Sequence, residues 1–513
     1  MNEKNAIITV PPTGELKKRA VSRIPLETLG GRLHVEWDDK AAVTPMGLLP
    51  HFADFLKTAD LFDPWVSECP LRYTSPNAPA VRDILGTIVL SVLAGQNRYT
   101  HITSLRSDEV TAKVMGMRKI CSEDSVRRAF QGQDSEAIAG WMRAHLRRVW
   151  EPLVCEPWIL DVDTTVKPLY GRSQEGAVVG YNPEKPGRPS HACHTYFMAS
   201  ARIVLDVEVQ PGNQTASRFS APGLFAFIDG LNPAQRPGLI RGDSGFGNEW
   251  VLSQAEARGQ GYLFKLRLTS GARKLIESLF YEADWRLAGQ GWESAESRLC
   301  LSGWSRKRRV VVLRRRIRDN VAAQKPADGE VMLLDVKGAP GNLYEYAVLA
   351  VSEGIAEEAV AQLYRDRADC ENVFDELKNQ WGWRGYVTQD LTRCRLMARA
   401  VALVYNWWTL FAGLAIGDRH IEAVTSRPLL LYAVGRQTTH GGQSTLFVTS
   451  MHGKGETVRD TMAGIAEFLI GIRTTAEQLS REERWRIILS RIFARFLRGR
   501  PLGTAPPALI FQS

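Results

Sequence analysis

The sequence is poor in cysteine and shows no pattern in what it has. Seven cysteines, at Cys69, Cys121, Cys155, Cys193, Cys300, Cys370 and Cys394, are scattered over 513 residues with no CxxC pair. That spacing argues against a disulfide framework and for reduced thiols in a cytosol-like compartment. The first thirty residues mix charges and prolines but contain no apolar block of the kind a secretory signal needs, so none is expected there. Long apolar runs are also nearly missing. Ile84 to Gly95 is too short to span a bilayer, and Ala400 to Gly417 is interrupted by Asn406 and bounded by Arg399 and the Asp418-Arg419 pair. A buried helix is expected there, with Trp407 and Trp408 in a core and no membrane partner. No internal repeat is evident.

What is present fits a soluble globular chain: 44% hydrophobic and 24% charged residues, enough length for about three domains. The net charge of +9 and a pI near 9.2 are mild for this size, so the distribution of charge matters more than its sum. Much of the excess lies in Leu301 to Asn320, with eight Lys or Arg against one acid. Here Arg306, Lys307, Arg308 and Arg309 precede an apolar strand, and Arg314, Arg315 and Arg316 follow it. Such a strand is expected to touch a phosphate backbone. Further arginines, at 127, 128, 143, 147 and 148, suit either phosphates or a solvated helix face. A second basic stretch runs from Arg481 to Arg500.

Apolar spacing predicts helices through residues 45 to 150, including Leu56 to Phe62, Val81 to Leu93 and Val126 to Trp150. From Pro157 the texture becomes β-like, with strands expected at Trp158 to Thr165, Thr195 to Ala201, Arg202 to Gln210, Gly238 to Asp243 and Gly261 to Leu268. Helices are expected at Ser217 to Gly230 and Asn248 to Arg258, between the later strands. This order implies a mixed α/β layer structure. Residues 171 to 190 read as an irregular loop, 270 to 354 as β-rich, and the chain from about 355 onward as helical.

Three carboxylate positions carry chemistry. In Leu160-Asp161-Val162-Asp163-Thr164-Thr165, alternation lets Asp161 and Asp163 face the same side of a strand. Asp243, in Arg241-Gly242-Asp243-Ser244-Gly245-Phe246, ends an apolar strand between glycines that would admit a ligand backbone. Tyr364, Arg367, Glu371 and Lys378 follow one another at intervals of three, four and seven. At about 100° per residue they share a stripe of roughly 60° on one helix. Converging carboxylates without Cys or His suit hard divalent cations such as Mg²⁺, and two such ions about 4 Å apart suit in-line phosphoryl displacement. His191, Cys193 and His194 form a single cluster with no second pair at ligand spacing, so no zinc site is expected.

The stripe Tyr364, Arg367, Glu371, Lys378 resembles the Y-(2)-R-(3)-E-(6)-K signature of the DDE transposases of bacterial insertion sequences. Asp163-Thr164 and Arg241-Gly242-Asp243-Ser244-Gly245-Phe246 resemble that group's first and second aspartate motifs, and the stretch from Tyr170 to Arg188 resembles one of its branches. The resemblance covers roughly residues 155 to 400. It implies an α/β, RNase H-like catalytic core interrupted by a β-rich insertion and flanked by helical N- and C-terminal domains. The implied order is a basic flexible arm (1–30), a helical DNA-binding domain (31–154), the first part of the core (155–269), a basic β-rich insertion (270–354), the second part of the core with its catalytic helix (355–400), and a helical C-terminal domain (401–513).

By the same resemblance, Asp163, Asp243 and Glu371 are the catalytic metal ligands for two Mg²⁺ ions, with Mn²⁺ able to substitute. Asp161 is a rival for Asp163, which is preferred because the following Thr fits the motif. Tyr364 and Arg367 would grip DNA near the cleaved end and Lys378 a neighbouring phosphate. Of Trp285, Trp292 and Trp304, the last is the first choice for stacking on a flipped base, because it adjoins the Arg306 to Arg309 run. The implied activity is cut-and-paste transposition on terminal inverted repeats and target DNA, by a homodimer on DNA, in the cytoplasm at the nucleoid. The rival readings are a structure-specific nuclease and a domesticated or inactive copy that only binds DNA.

Overall fold

A computed structural model describes residues 23–317 and 343–503, apart from Lys40, Thr74, Arg172, Pro183, Glu184, Asp418, His452 and Glu477. Most of the expected basic arm and part of the expected insertion, residues 318–342, therefore lie outside the described residues. The described residues open with the hairpin β1 (Ile24–Thr28) and β2 (Gly31–Val35), then β3 (Ala42–Thr44). Six helices follow: α1 (Leu49–Thr58), α2 (Phe62–Ser67), α3 (Val81–Leu93), α4 (Glu109–Val114), α5 (Glu123–Arg128) and α6 (Ser135–Trp150). Their starts are chemically marked. Asp108, Ser122 and Asp134 each cap a helix by accepting hydrogen bonds from first-turn amides.

The α/β part comprises β4 (Ile159–Pro168), β5 (Val178–Val179), β6 (Pro189–Met198), β7 (Ile203–Pro211), α7 (Ala216–Asp229), β8 (Leu239–Gly242), α8 (Glu249–Ala257) and β9 (Tyr262–Lys265). Then come α9 (Ser270–Glu282), β10 (Arg286–Leu287), β11 (Trp292–Leu299), β12 (Arg308–Ile317) and β13 (Leu343–Val351). All ten strands from β4 to β13 belong to one sheet. Strands β4, β8 and β9 run parallel at its centre, while β6 and β7 extend it as an antiparallel meander from β4. The strands between residues 286 and 351 do not form a sheet of their own: β13 pairs with β9 and carries β12, β11 and β10 outward on the same sheet.

The chain continues with α10 (Glu357–Arg365), α11 (Ala368–Gln380), α12 (Leu391–Ile416), α13 (Ala423–Leu430), β14 (Gly435–His440), β15 (Gln443–Val448), α14 (Gly455–Thr474) and α15 (Arg481–Ile492). Helix α12 holds nearly all of the apolar stretch that begins at Ala400 and is long and apolar enough to cross a membrane, but its surface is covered by β7, α1, α3, α6, α14 and α15. Its Asn406, fully buried, is satisfied by the Val204 backbone: the amide oxygen accepts from Val204 N at 2.9 Å and the amide nitrogen donates to Val204 O at 2.7 Å. Trp407 and Trp408 are core residues, as expected. Strand β14 pairs with β3, so the beginning of the described chain and a late hairpin share a small sheet.

Candidate functional site

Parallel pairing of β4 with β8 aligns Val162 with Gly242. Asp163 and Asp243 are each the next residue, so two acids stand at neighbouring positions where the strands leave their shared ladder. Behind Asp243 the loop is held by backbone chemistry. Gly245 N donates to Asp243 Oδ1 at 2.9 Å, and Asn248 caps α8 by accepting from Val251 N. The glycines here are required by packing. A Cβ on Gly247 would lie 2.4 Å from Lys265 O, and one on Gly245 2.8 Å from Ala216 Cβ.

Asp161 and Asp163 project to the same side of β4, as expected, yet their surroundings differ. Asp161 is buried in a bidentate ion pair with Arg241, both contacts at 2.7 Å. Arg241 also donates to Leu363 O at 2.5 Å, tying α10 down onto the sheet. Burial pushes the Asp161 pKa up against the pull of Arg241. Asp163 is partly open: its Oδ2 accepts from Thr165 Oγ1 at 3.2 Å, and its Oδ1 lies 3.5 Å from the Arg367 guanidinium. Arg367 also contacts Glu371, so one buried cation joins the first acid to the third. Burial works against the charge on Arg367, but Asp163, Glu371 and, more weakly, Asp243 outweigh it and raise its pKa.

The four-residue stripe does not lie on one uninterrupted helix. Helix α10 ends at Arg365, and α11 begins after Arg367, which is its N-cap. Between them, Arg367 N bonds to Tyr364 O and Asp369 N to Asp366 O at 3.3 Å. These three-residue closures are a 3₁₀-like tightening, with ψ of −15° at Asp366 and −22° at Arg367. Arg367 and Glu371 still meet as an i, i+4 pair. Tyr364 packs on the apolar side of the sheet near Leu363 and Ile355, and Lys378 is half-buried a further two turns along α11.

The basic strand is largely neutralised from within. Arg308, 2% exposed, is clamped between Glu249 and Glu256 of α8. Arg309 pairs with Glu296, Arg314 with Glu293, Arg315 with Glu345 and Arg306 with Glu256. Lys307 and Arg316 are exposed, as are Arg306 and Arg315. The candidate stacking residues are already covered by guanidinium groups: Arg308 over Trp304 at 5.1 Å, Arg314 over Trp285 at 3.9 Å and Arg315 over Trp292 at 4.9 Å. The helix arginines behave likewise, Arg127 and Arg128 pairing with Asp124, Arg143 with Asp206 and Glu208, Arg147 with Glu151 and Arg148 with Glu68.

The Arg308 clamp makes a pH prediction. Burial pushes the Glu249 carboxyl up, but hydrogen bonds from Arg308, Ser305 and Ser253 prevail and bring its pKa from 4.5 to about 2. A depressed carboxylate stabilises the fold above its unfolded pKa, and that contribution disappears as pH falls from 4.5 towards 2. Melting temperature followed against pH should therefore fall more steeply over this window in the wild type than in Glu249→Gln. Parallel curves would show that the clamp adds nothing.

His191, Cys193 and His194 lie in sequence along β6. His194 faces away from its neighbour Cys193, donating through Nε2 to Gln214 O at 2.8 Å and meeting Thr164 Oγ1 through Nδ1 at 3.1 Å. Burial pushes its pKa down to about 4, so the ring is neutral at pH 7. Among the described residues no group of three or more His, Cys, Asp or Glu is close enough together to hold a metal. Asp163, Asp243 and Glu371 are carboxylates whose charges all act on one buried cation, Arg367.

Residues 77–468 match the family model described as transposase DDE domain group 1. The chain belongs to this DDE transposase family. No curated protein matches it significantly. A piggyBac transposase, solved by cryo-EM as a synaptic complex with hairpin DNA, matches at 13% identity over 88% of both chains with a TM-score of 0.33. A superposition that loose transfers no residue. Within this DDE transposase the residue that sequence reasoning passed over is Arg241. Its signal was a lone cation in the apolar strand β8, next to the acid-bearing strand β4.

Proposed function

We propose that this DDE transposase is a cut-and-paste enzyme of the bacterial insertion-sequence type, with an RNase H-like core and Asp163, Asp243 and Glu371 as its catalytic acids. The observation that carries the reading is that Asp163 and Asp243 each follow the last paired residues of two parallel strands, Val162 and Gly242, with Glu371 joined to Asp163 through Arg367. DDE transposases use divalent metals, and these three carboxylates would hold them. Bound there, Mg²⁺ would activate water and stabilise the leaving oxygen.

The chain's own residues then have separable tasks. Asp161 and Arg241 fix the height of α10 over the sheet and so the position of Arg367. Arg367 lies beside the acids, and where a cation neutralised them it would be free to hold a DNA phosphate. Tyr364 and Lys378 would contact the DNA near it. Lys307, Arg316 and the exposed parts of Arg306 and Arg315 would follow the backbone of the bound duplex. Trp304 would stack on a flipped base only by shedding Arg308.

Hydrolysis at each element end forms an O–P bond from water and releases a 3′-hydroxyl. Attack of that hydroxyl on target DNA forms the new phosphodiester and expels the target's 3′-oxygen. Two ends are processed together, which calls for a homodimer on DNA.

The test uses duplex DNA carrying the inverted repeat that borders the coding sequence, with Mg²⁺. The wild type should cut at the element boundary, and Asp243→Asn and Glu371→Gln should bind without cutting. Binding without cleavage by the wild type in Mg²⁺ or Mn²⁺ would favour a DNA-binding remnant. Cleavage without strand joining would favour a nuclease.

A further inference from the structure

The β14–β15 hairpin is an arm with little covering it. Strand β3 pairs with β14 only from Gly435 to Gln437, so beyond Gln437 the ribbon is two strands wide. Every residue from Thr439 to Thr445 is exposed. A two-stranded ribbon alone is marginal in water, so this tip contributes little to folding. Its turn is nonetheless well formed. Gly441 and Gly442, at φ of +55° and +78°, make the two-residue connection that matches strand twist.

The chemistry of the arm is one-sided. The sequence contains no Asp or Glu between Glu422 and Glu456, although the whole chain has 56 acids in 513 residues. The register places Arg436, Thr438, His440, Gln443, Thr445 and Phe447 on one face of the ribbon, with His440 opposite Gln443 at the tip, Thr438 opposite Thr445, and Arg436 opposite Phe447 at the base. A solubilising edge would carry mixed charges, and a protein-docking tip would carry apolar groups. This tip carries hydroxyls, an amide and an imidazole, and the apolar Phe447 and Val448 lie back at its base. Neutral donors and acceptors beside a cation, with no carboxylate to repel a phosphate, complement duplex DNA. The major groove, about 12 Å wide, admits a two-stranded ribbon.

We infer that the β14–β15 ribbon is a DNA-reading arm that enters the major groove of the duplex bound by this transposase, an inference that rests on the function proposed above. Arg436 holds a phosphate at the groove's edge, while Thr438, His440, Gln443 and Thr445 meet base edges. The arm is separate from the carboxylate site and from the basic strand β12.

The test is fluorescence anisotropy of the full-length protein on a labelled duplex carrying the bordering inverted repeat and on a scrambled duplex. The proteins are the wild type, Arg436→Gln, and a combined Thr438→Ala, His440→Ala, Gln443→Ala, Thr445→Ala variant that keeps the turn glycines. Thermal melts establish that the exposed substitutions leave the fold intact, and light scattering reports the oligomeric state. The combined variant should bind the inverted repeat about tenfold or more weakly while holding the scrambled duplex as before. Arg436→Gln should weaken both and reduce the salt slope by about one. Wild-type affinity of the combined variant on both duplexes would overturn the inference while leaving the transposase reading intact. A lost dimer with unchanged DNA affinity would assign the arm to a second copy of the chain and overturn it too. If the wild type bound neither duplex, the transposase reading would fall and the arm's role with it.

Discussion

Asp163→Asn is expected to leave a folded, DNA-binding protein whose strand cleavage falls about a hundred- to a thousandfold, whereas Asp161→Asn is expected to damage the fold first. The two acids are two residues apart on one face of β4, so their difference comes from what surrounds them. Asp161 and Arg241 are 0% and 1% exposed, and Arg241 spends a further hydrogen bond on Leu363 O. Neutralising one partner strands a buried guanidinium, a loss of about 3–5 kcal/mol. Asp163 carries a lighter structural duty, because Arg367 keeps its pairing with Glu371 when Asp163 is neutralised. Its contacts are Thr165 and the edge of Arg367, and its carboxylate is partly open. Thermal melts and boundary-cleavage assays run on both variants separate the cases. A stable Asp161→Asn protein that cannot cut, beside an Asp163→Asn protein that can, would exchange their roles.

The local elements, including the strand that carries Asp161 and Asp163, were readable because each rests on short-range pattern. The apolar period of Val81 to Leu93 coincides with α3, and the alternation around Asp161 and Asp163 coincides with β4. The interruption at Asp366 and Arg367 was not readable, since counting 100° per residue assumes an unbroken helix and neither residue is a breaker by type. The fate of the basic strand was hidden for a different reason. Arg308, Arg314 and Arg315 are neutralised by Glu249 and Glu256, Glu293, and Glu345, which come from a helix and two flanking strands. A local count of charge cannot see partners that only sheet pairing brings near. The β14–β15 arm was missed within a region expected to be helical because Gln437 to Thr445 has no apolar residue to set a period. Its one local signal was the Gly441-Gly442 pair between Thr- and Gln-rich flanks.

Arg367→Gln is expected to abolish cleavage and, at the same time, to let the site gain more from a divalent cation. The wild-type guanidinium is 4% exposed, paired with Glu371 and 3.5 Å from Asp163, and raised in pKa by those acids and by Asp243. It is the internal counter-charge of the carboxylate site. Without it, Asp163 and Glu371 lose their shared cation and their mutual repulsion is no longer screened, so the metal-free variant should melt below the wild type. A bound divalent ion would restore that missing charge without first displacing a guanidinium. Ligand binding to the native state stabilises by RT ln(1 + [L]/Kd), about 2.7 kcal/mol at a hundredfold excess over Kd. Melting temperatures titrated with Mg²⁺ or Mn²⁺ should therefore rise further, and at lower ion concentration, in Arg367→Gln than in the wild type. An equal rise in both would mean that Arg367 does not compete for the acids, and that its effect on cleavage comes from DNA contact alone. Lys in place of Gln distinguishes charge from shape: it should restore metal-free stability in part, yet not the forked contact to two acids that a guanidinium makes.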